Sequence, residues 1–339
     1  MDNAGGRPTI RTVAARAQVS KSLVSLVLQG SDQVSPARRA AVEKAIAELD
    51  YRPSLVARTL TSRRTGVFGI VMNDLRNPWF VDCLEGFAAA VGESGYRTIL
   101  ADESLASSGG LISSMLELHV DGLVLMGTMQ PSEQLRAAVR SRPTVVAASR
   151  DFRREHVDVV ANDDASGTRI AVEHLLALGH ERIAHIAGAT GAVPEIRRRE
   201  FGRIMRAHGH DEPLIAVGDM TERGGSEAAM RLLEGPNRPT AIFAVNDMTA
   251  IGVLSAARTL GLDVPGDLSV VGYDNTDLAA MGLANLTSVD NASHEVGALA
   301  AAALLSRMGN PGGAATERLV PPRLVVRNST ARPPLARQP

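Results

Sequence analysis

Cysteine is almost absent: the 339 residues contain one, Cys83. A single thiol excludes an intramolecular disulfide framework, and its place in an apolar helical run predicts a packed thiol rather than a reactive one. No apolar run reaches the roughly 18 residues needed to cross a bilayer, and the first eleven residues are polar with no apolar signal core. The expectation is therefore a protein of the cytoplasm with no membrane partner. Catalytic signatures are missing as well. There is no GxxxxGK[ST] loop, no GxGxxG after the first predicted strand, no HExxH and no GxSxG elbow. Gly109-Gly110 and Gly224-Gly225 are isolated pairs. His208-Gly209-His210 lacks a third ligand nearby and reads as a surface turn, while His119, His174, His180 and His185 lie in helix or strand patterns and read as structural. No nucleophile–base arrangement stands out, so neither an enzyme, a metal site nor a cofactor is expected.

What is present is a long chain of ordinary globular composition, 45% hydrophobic and 22% charged, with 31 glycines and 17 prolines. It is long enough for more than one domain with an adequate core. The net charge of −1 conceals an uneven division: residues 1–64 hold 11 Lys/Arg against 5 Asp/Glu, and the rest hold 25 against 32. A segment of charge +6 thus precedes a body of −7. A basic head is the electrostatic footprint of a polyanion binder, because phosphate contacts supply most non-specific affinity for DNA.

Within the head, Thr9 can cap a helix over 10–17 that buries Val13, Ala14 and Ala17. After a turn at Gln18 and Val19, Ser20 can cap a second helix over 21–28, in which Val24 and Leu28 are spaced to face inward. Its outer face then carries Lys21, Ser22, Ser25 and Leu26. Two such helices form a helix-turn-helix, whose second helix enters the major groove. A third helix starts at Ser35-Pro36 and buries Val42, Ala45, Ile46 and Leu49. One or two further turns are expected over 55–61, with Val56 and Leu60 on one side.

The residues Thr9-Ile10-Arg11-Thr12-Val13-Ala14, Val19-Ser20-Lys21-Ser22-Leu23-Val24-Ser25, Val34-Ser35 and Tyr51-Arg52-Pro53 through Ala57-Arg58-Thr59-Leu60 resemble, in order and spacing, the lactose-repressor (LacI/GalR) family. The resemblance continues almost to the C-terminus. It implies DNA-reading roles for Lys21, Ser22 and Leu26, with Ser20, Ser25 and Ala57 at the same surface, and a hinge helix whose Leu60 wedges into the minor groove and kinks the DNA. Two positions depart from the family pattern. Gln18 stands where glycine is usual and must adopt positive φ, and Leu26 stands where arginine is common and offers only apolar contact, for instance to a thymine methyl.

From Val67 onward, short β-branched runs alternate with helical patterns, as in parallel α/β domains. Strands are expected over 67–72, 97–101, 122–126, 144–148, 157–161, 182–187, 241–245, 268–272 and 323–326. This is more than one open sheet holds, so two Rossmann-like lobes of the periplasmic-binding-protein kind are predicted, as the resemblance also implies. The expected organisation is a helix-turn-helix domain over 1–50, a hinge over 51–64, an effector and dimerisation domain over 65–328 and a disordered tail over 329–339. The lobes are expected over about 65–161 plus 292–320, and 162–291 plus 321–328.

Polar residues cluster just after these strands, where open α/β sheets bind ligands: Asn73-Asp74, Asn162-Asp163-Asp164, Asn246-Asp247 and Tyr273-Asp274-Asn275. Such residues suit a polyhydroxylated ligand, and Trp79 and Phe80 could supply an aromatic face, though Asx residues also cap helices. The resemblance implies that Arg199 binds the effector, with Val193 and Glu195 beside it and Asn291 and Ser293 near the cleft; of the run Arg197-Arg198-Arg199, the first two read as a solvated helical face. Ser149 stands where the family usually has aspartate, which opens the question of which sugar fits. The reading is a homodimeric repressor on a pseudo-palindromic operator, controlled by a small molecule of sugar type. The alternatives are a nucleoside- or purine-responsive regulator, for which Trp79 and Phe80 would stack on the base, a solute-binding protein with an incidental basic head, and a sugar-processing enzyme.

Overall fold

The computed structural model describes residues 8–28, 31–51, 64–102, 110–127, 132–149, 157–235 and 237–334. The chain divides into two units, Met1–Thr65 and Gly66–Pro339.

In the first unit, α1 (Ile10–Arg16), α2 (Lys21–Leu28) and α3 (Pro36–Glu48) enclose Val13, Val24, Val27, Val42, Ala45 and Tyr51. Thr9 and Thr12 form a reciprocal capping box, the Ser20 hydroxyl accepts from the Leu23 amide at 3.2 Å, and Gln18 makes the turn with φ of 55°. Three expectations are corrected. In α2 it is Val27, not Leu28, that completes the buried face with Val24; Leu28 is exposed, because an i, i+3 pair faces the other two helices better than i, i+4 here. Ser35 occupies the cap position of α3 but makes no side-chain cap bond. Ala17 is only half-buried. The expected hinge helix, with Ala57 and Leu60, lies outside the described residues.

The second unit contains two six-stranded sheets. The first orders its strands β11 (Glu317–Val320), β5 (Asp158–Asn162), β4 (Thr144–Ala147), β3 (Gly122–Met126), β1 (Val67–Met72) and β2 (Arg97–Asp102), all parallel. The second orders β12 (Arg323–Val325), β10 (Thr287–Asp290), β9 (Ser269–Tyr273), β8 (Ala241–Ala244), β6 (Ile183–Gly188) and β7 (Leu214–Gly218), with only β12 antiparallel to its neighbour. Central strands are apolar on both faces because helices cover both: Phe68, Ile70 and Met72 enter one cluster, and Val67 and Val71 the other. The first sheet lies beneath α4 (Pro78–Val91) and α12 (Ser293–Gly309), which cross so closely that a methyl built on Gly297 would overlap the Cys83 carbonyl. Cys83 is buried there, and burial pushes its thiol well above the usual range, consistent with packing alone.

Three strands escape the apolar pattern. β7 and β11 are edges, with one neighbour each, and need not be apolar on both faces. In β10, hydroxyls replace apolar side chains and are all bonded: Thr287 accepts from the Arg327 amide at 2.9 Å and Ser288 donates to Asp247 at 2.6 Å. The expected disorder from residue 329 is corrected for 329–334. Ser329 is buried and bonds Val270 and Thr287, and the Ala331 amide donates to Ser269 at 3.0 Å. The arginine- and proline-rich composition there hides a backbone that closes the second sheet. No helix among the described residues is long and apolar enough to cross a membrane.

Three histidines in this lobe carry a testable consequence. His174 bonds Thr330, His180 bonds Thr240, Ser269 and the Ala331 carbonyl, and His185 lies stacked on Phe243. The Phe243 carbonyl accepts from His185 Nδ1 at 2.9 Å, which leaves Nε2 bare in an apolar site. Burial lowers all three pKa values, that of His185 to about 4. A histidine with a depressed folded pKa favours folding fully above its unfolded value near 6.5, and loses that contribution as pH falls toward the folded value. Between pH 7 and pH 5, His185 should remove about 2 kcal/mol that His185→Phe would not lose, so the melting temperature of the unaltered protein should fall by roughly 4–8 °C relative to that variant. A difference between the two melting temperatures that stays constant across that range in calorimetry would contradict this, since the raised carboxyl of Asp274 acts oppositely but equally in both proteins.

Candidate effector cleft and DNA-binding face

Both sheets reverse direction of winding between their first and third strands, and the loops leaving the carboxyl ends of these strands face one another across a cleft of about 380 Å³. The first sheet contributes Asn73, Asp74 and Asn77 after β1, Gly127 after β3, Ala148 after β4 and Asn162 at the end of β5. The second contributes Thr190 after β6, Asp219, Met220 and Thr221 after β7, Asn246 after β8 and Asp274 after β9. Val193, Pro194 and Arg197 project from α8 (Ala192–Ala207), Trp79 and Phe80 from α4, and Asn291 follows β10.

The floor is ionic. Arg197, 3% exposed, donates through Nε to Asp164 at 2.9 Å and through Nη1 to the Val245 carbonyl by a short bond. Its guanidinium lies 3.5 Å from the centre of the Tyr273 ring, and Nη1 is 4.0 Å from Asp274. Burial drives the carboxyls upward even so: that of Asp164 is raised, and Asp274, where burial outweighs Arg197, reaches about 8. Asp274 also has φ of 104°, a backbone strain of the kind kept where a side chain must be aimed. Asp247, just beneath, holds the same turn by accepting from the Thr276 amide at 2.7 Å.

The walls differ. Trp79 and Phe80 are buried and meet edge to face, ring centres 5.2 Å apart. Gly127 adopts φ of 89°, and a side chain there would strike Asn73 and Phe80, so the wall can form only over glycine. Asn246 is both helix cap and lining residue: Oδ1 accepts from the Thr249 amide at 2.9 Å while Nδ2 donates to the Met220 carbonyl at 3.0 Å. At the mouth, Asp74 is paired with Arg76 at 2.8 Å.

Of the residues expected in the cleft, Asp74, Trp79, Phe80, Val193, Asn246, Asp274 and Asn291 line it. Three do not. Arg199 is exposed on the opposite side of α8, and the buried arginine is Arg197, so the two assignments are exchanged. Glu195 is exposed and paired with Arg198 by a short ion pair. Ser149 is buried, but its neighbour Ala148 is the lining residue. Ser293 is bonded to Asp82 by a short hydrogen bond and lies beside a different cavity. A signal for Arg197 was present: Pro194, Phe201, Ile204 and Met205 are the buried positions of α8, and helical periodicity puts residue 197 with them.

In the head, Lys21 and Ser22 are exposed at the N-terminal end of α2, and Ser20 is exposed just before it. Ser25 is half-buried. Leu26 is half-buried too and packs against the bundle core, so only part of it remains for a base edge.

The family described as bacterial regulatory proteins, lacI family, matches residues 9–54, and that described as periplasmic binding protein-like domain matches residues 172–330. The HTH-type transcriptional repressor CytR of Escherichia coli (strain K12) is 31% identical over 95% of this chain and 96% of its own. The lac repressor dimer bound to operator and the anti-inducer ONPF superposes with a TM-score of 0.83 at 26% identity, covering 96% of this chain and all of that one. The complex of transcriptional regulator CelR with cellobiose superposes with a TM-score of 0.72 at 31% identity, covering 95% and 100%.

Proposed function

The chain belongs to the LacI family of bacterial regulatory proteins, and on that premise we propose that it is a homodimeric transcriptional repressor of the cytoplasm whose hold on operator DNA is set by a small molecule in the cleft. The observation that carries the DNA-binding half is α2, which buries Val24 and Val27 while leaving Lys21 and Ser22 exposed at its N-terminal end. That is the end of a recognition helix that meets base edges, and the +6 charge of residues 1–64 supplies phosphate attraction. Two copies on a two-fold operator double the contact, and the solved relative that carries DNA is a dimer. Here Lys21, Ser22 and part of Leu26 read the major groove, and Leu60 is assigned to the minor groove.

The effector is a polyhydroxylated molecule of sugar type. Asn73, Asn246, Thr190 and Asp274 offer mixed donors and acceptors, and Trp79 can cover a C–H face. A relative of the same architecture holds cellobiose. Binding biases the closure of the two lobes, and thereby the head, as two-site coupling requires. Regulation rather than catalysis suits a floor whose titratable groups are occupied with one another.

The test is a gel-shift titration of the full chain with duplex DNA at increasing salt. Binding should weaken with a log–log slope of roughly −5 or steeper. Absence of binding at low salt would end the regulator reading. Thermal-shift screening of sugars and nucleosides would then identify the effector class.

A further inference from the structure

Asn291 lines the cleft, yet its polar groups are committed within the protein. The residue is 1% exposed. Oδ1 accepts from Trp79 Nε1 at 2.8 Å, and Nδ2 donates to Asp274 Oδ1 at 2.9 Å. Its backbone carbonyl accepts a short bond from the side-chain Nδ2 of Asn162. An indole N–H can only donate, so the amide oxygen must face Trp79 and the amide nitrogen must face Asp274. The opposite amide orientation would set donor against donor at Trp79.

These partners come from different places. Trp79 lies on α4 of the first lobe, Asp274 on the turn after β9 of the second, and Asn291 in the crossover between β10 and α12. The string runs on from Asp274 to Arg197 and from Arg197 to Asp164. An aromatic wall of one lobe and the ionic floor of the other are thus joined through one amide of a connecting segment. The remaining aromatic restraint on Trp79 is the edge-to-face contact with Phe80.

We propose that Asn291 is a positioning residue: it fixes the Trp79 indole as a cleft wall and makes the placement of that wall depend on Asp274, so that a ligand engaging either one is felt in both lobes. This rests on the reading of the cleft as the effector site. Asn291 itself contributes no ligand contact. A ligand that accepts from Trp79 Nε1, or that donates to Asp274, competes with Asn291 for a partner and loosens the string at a crossover.

Trp79 is the only tryptophan in the chain, so its emission and its indole N–H resonance report this joint without a label. In the unaltered full chain, the indole N–H should exchange with solvent at least ~100-fold more slowly than a free indole; rapid exchange would overturn the proposal without any variant. Asn291→Leu should shift Trp79 emission to the red and raise its quenching by acrylamide several-fold. Asn291→Asp, which keeps the oxygen facing Trp79, should retain most of the unaltered emission. Asp274→Ala, which does not touch Trp79, should raise acrylamide quenching in the unaltered background and add nothing in the Asn291→Leu background. Equal increments in both backgrounds would show that Asn291 does not couple the two. Loss of DNA binding by the unaltered chain would defeat the regulator reading and leave these fluorescence results standing, so the two failures are distinguishable.

Discussion

Replacing Arg197 by alanine should destabilise the second unit by about 3–5 kcal/mol, whereas Arg199→Ala, two residues away, should stay within about 0.5 kcal/mol. The cause is the charge left behind. Asp164 is 5% exposed and gives Arg197 two contacts, at 2.9 Å and 2.8 Å, so removal of the guanidinium strands a carboxylate with no solvent access. Asp274 loses its nearest positive charge, and the Tyr273 ring loses the cation that covers its face. Arg199 is exposed and leaves nothing buried behind it. Denaturant unfolding of the two variants decides the matter. Equal midpoints would mean that the guanidinium of Arg197 is not the neutralising centre. Arg197→Met, which fills the volume without the charge, should be no better than alanine while Asp164 remains ionised, and should recover stability at a pH low enough to protonate Asp164.

Gly297→Val should cost at least about 3 kcal/mol in the same measurement, through overpacking rather than through charge. A Cβ at this position of α12 would overlap the Cys83 carbonyl and press on the Phe87 amide, both backbone atoms of α4 that cannot turn aside as a side chain can. Gly86 of α4 presents the reciprocal gap to the His294 carbonyl. Gly309, at the far end of the same helix, meets nothing within 4 Å, so Gly309→Ala should be neutral or stabilising by roughly 0.5 kcal/mol. If Gly297→Val melted with the unaltered protein, the close crossing of α4 and α12 would be wrong.

What the sequence made legible follows from what burial demands. Runs such as 67–72 and 122–126 are apolar on both faces because helices cover both, and such runs are visible without context. Edge strand β7 is only half-buried, and edge strand β11 and the hydroxyl-rich β10 are stabilised by partners far along the chain, β5 for the one and Ser329 and Arg327 for the other, so no local pattern announces them. In the cleft, residues that follow strands were legible because the ends of parallel strands are where an α/β sheet leaves polar groups. Arg197 was not, because three successive arginines look alike until the buried set of α8 is laid out around its axis, where residues 197 and 199 fall on opposite sides. The engagement of Asn291 with Trp79 and Asp274 joins positions 212 and 17 residues apart, and only the folded chain shows it.

The order of the strands also sets a schedule for biosynthesis. β5 is finished at residue 162 but its outer neighbour β11 begins at residue 317, and β10 waits for β12. At a ribosomal speed of roughly 5–20 residues per second, the edge of β5 stays unpaired for some 8–30 s. During that interval a nascent chain exposes a strand edge that other chains could join. The three-helix head, by contrast, has all the core residues found among the described ones in place by Tyr51. Each newly made molecule therefore acquires its contact with nucleic acid first and its capacity to be restrained by a metabolite last, so a translation stall or a truncation in the final lobe would yield a head that no signal can govern.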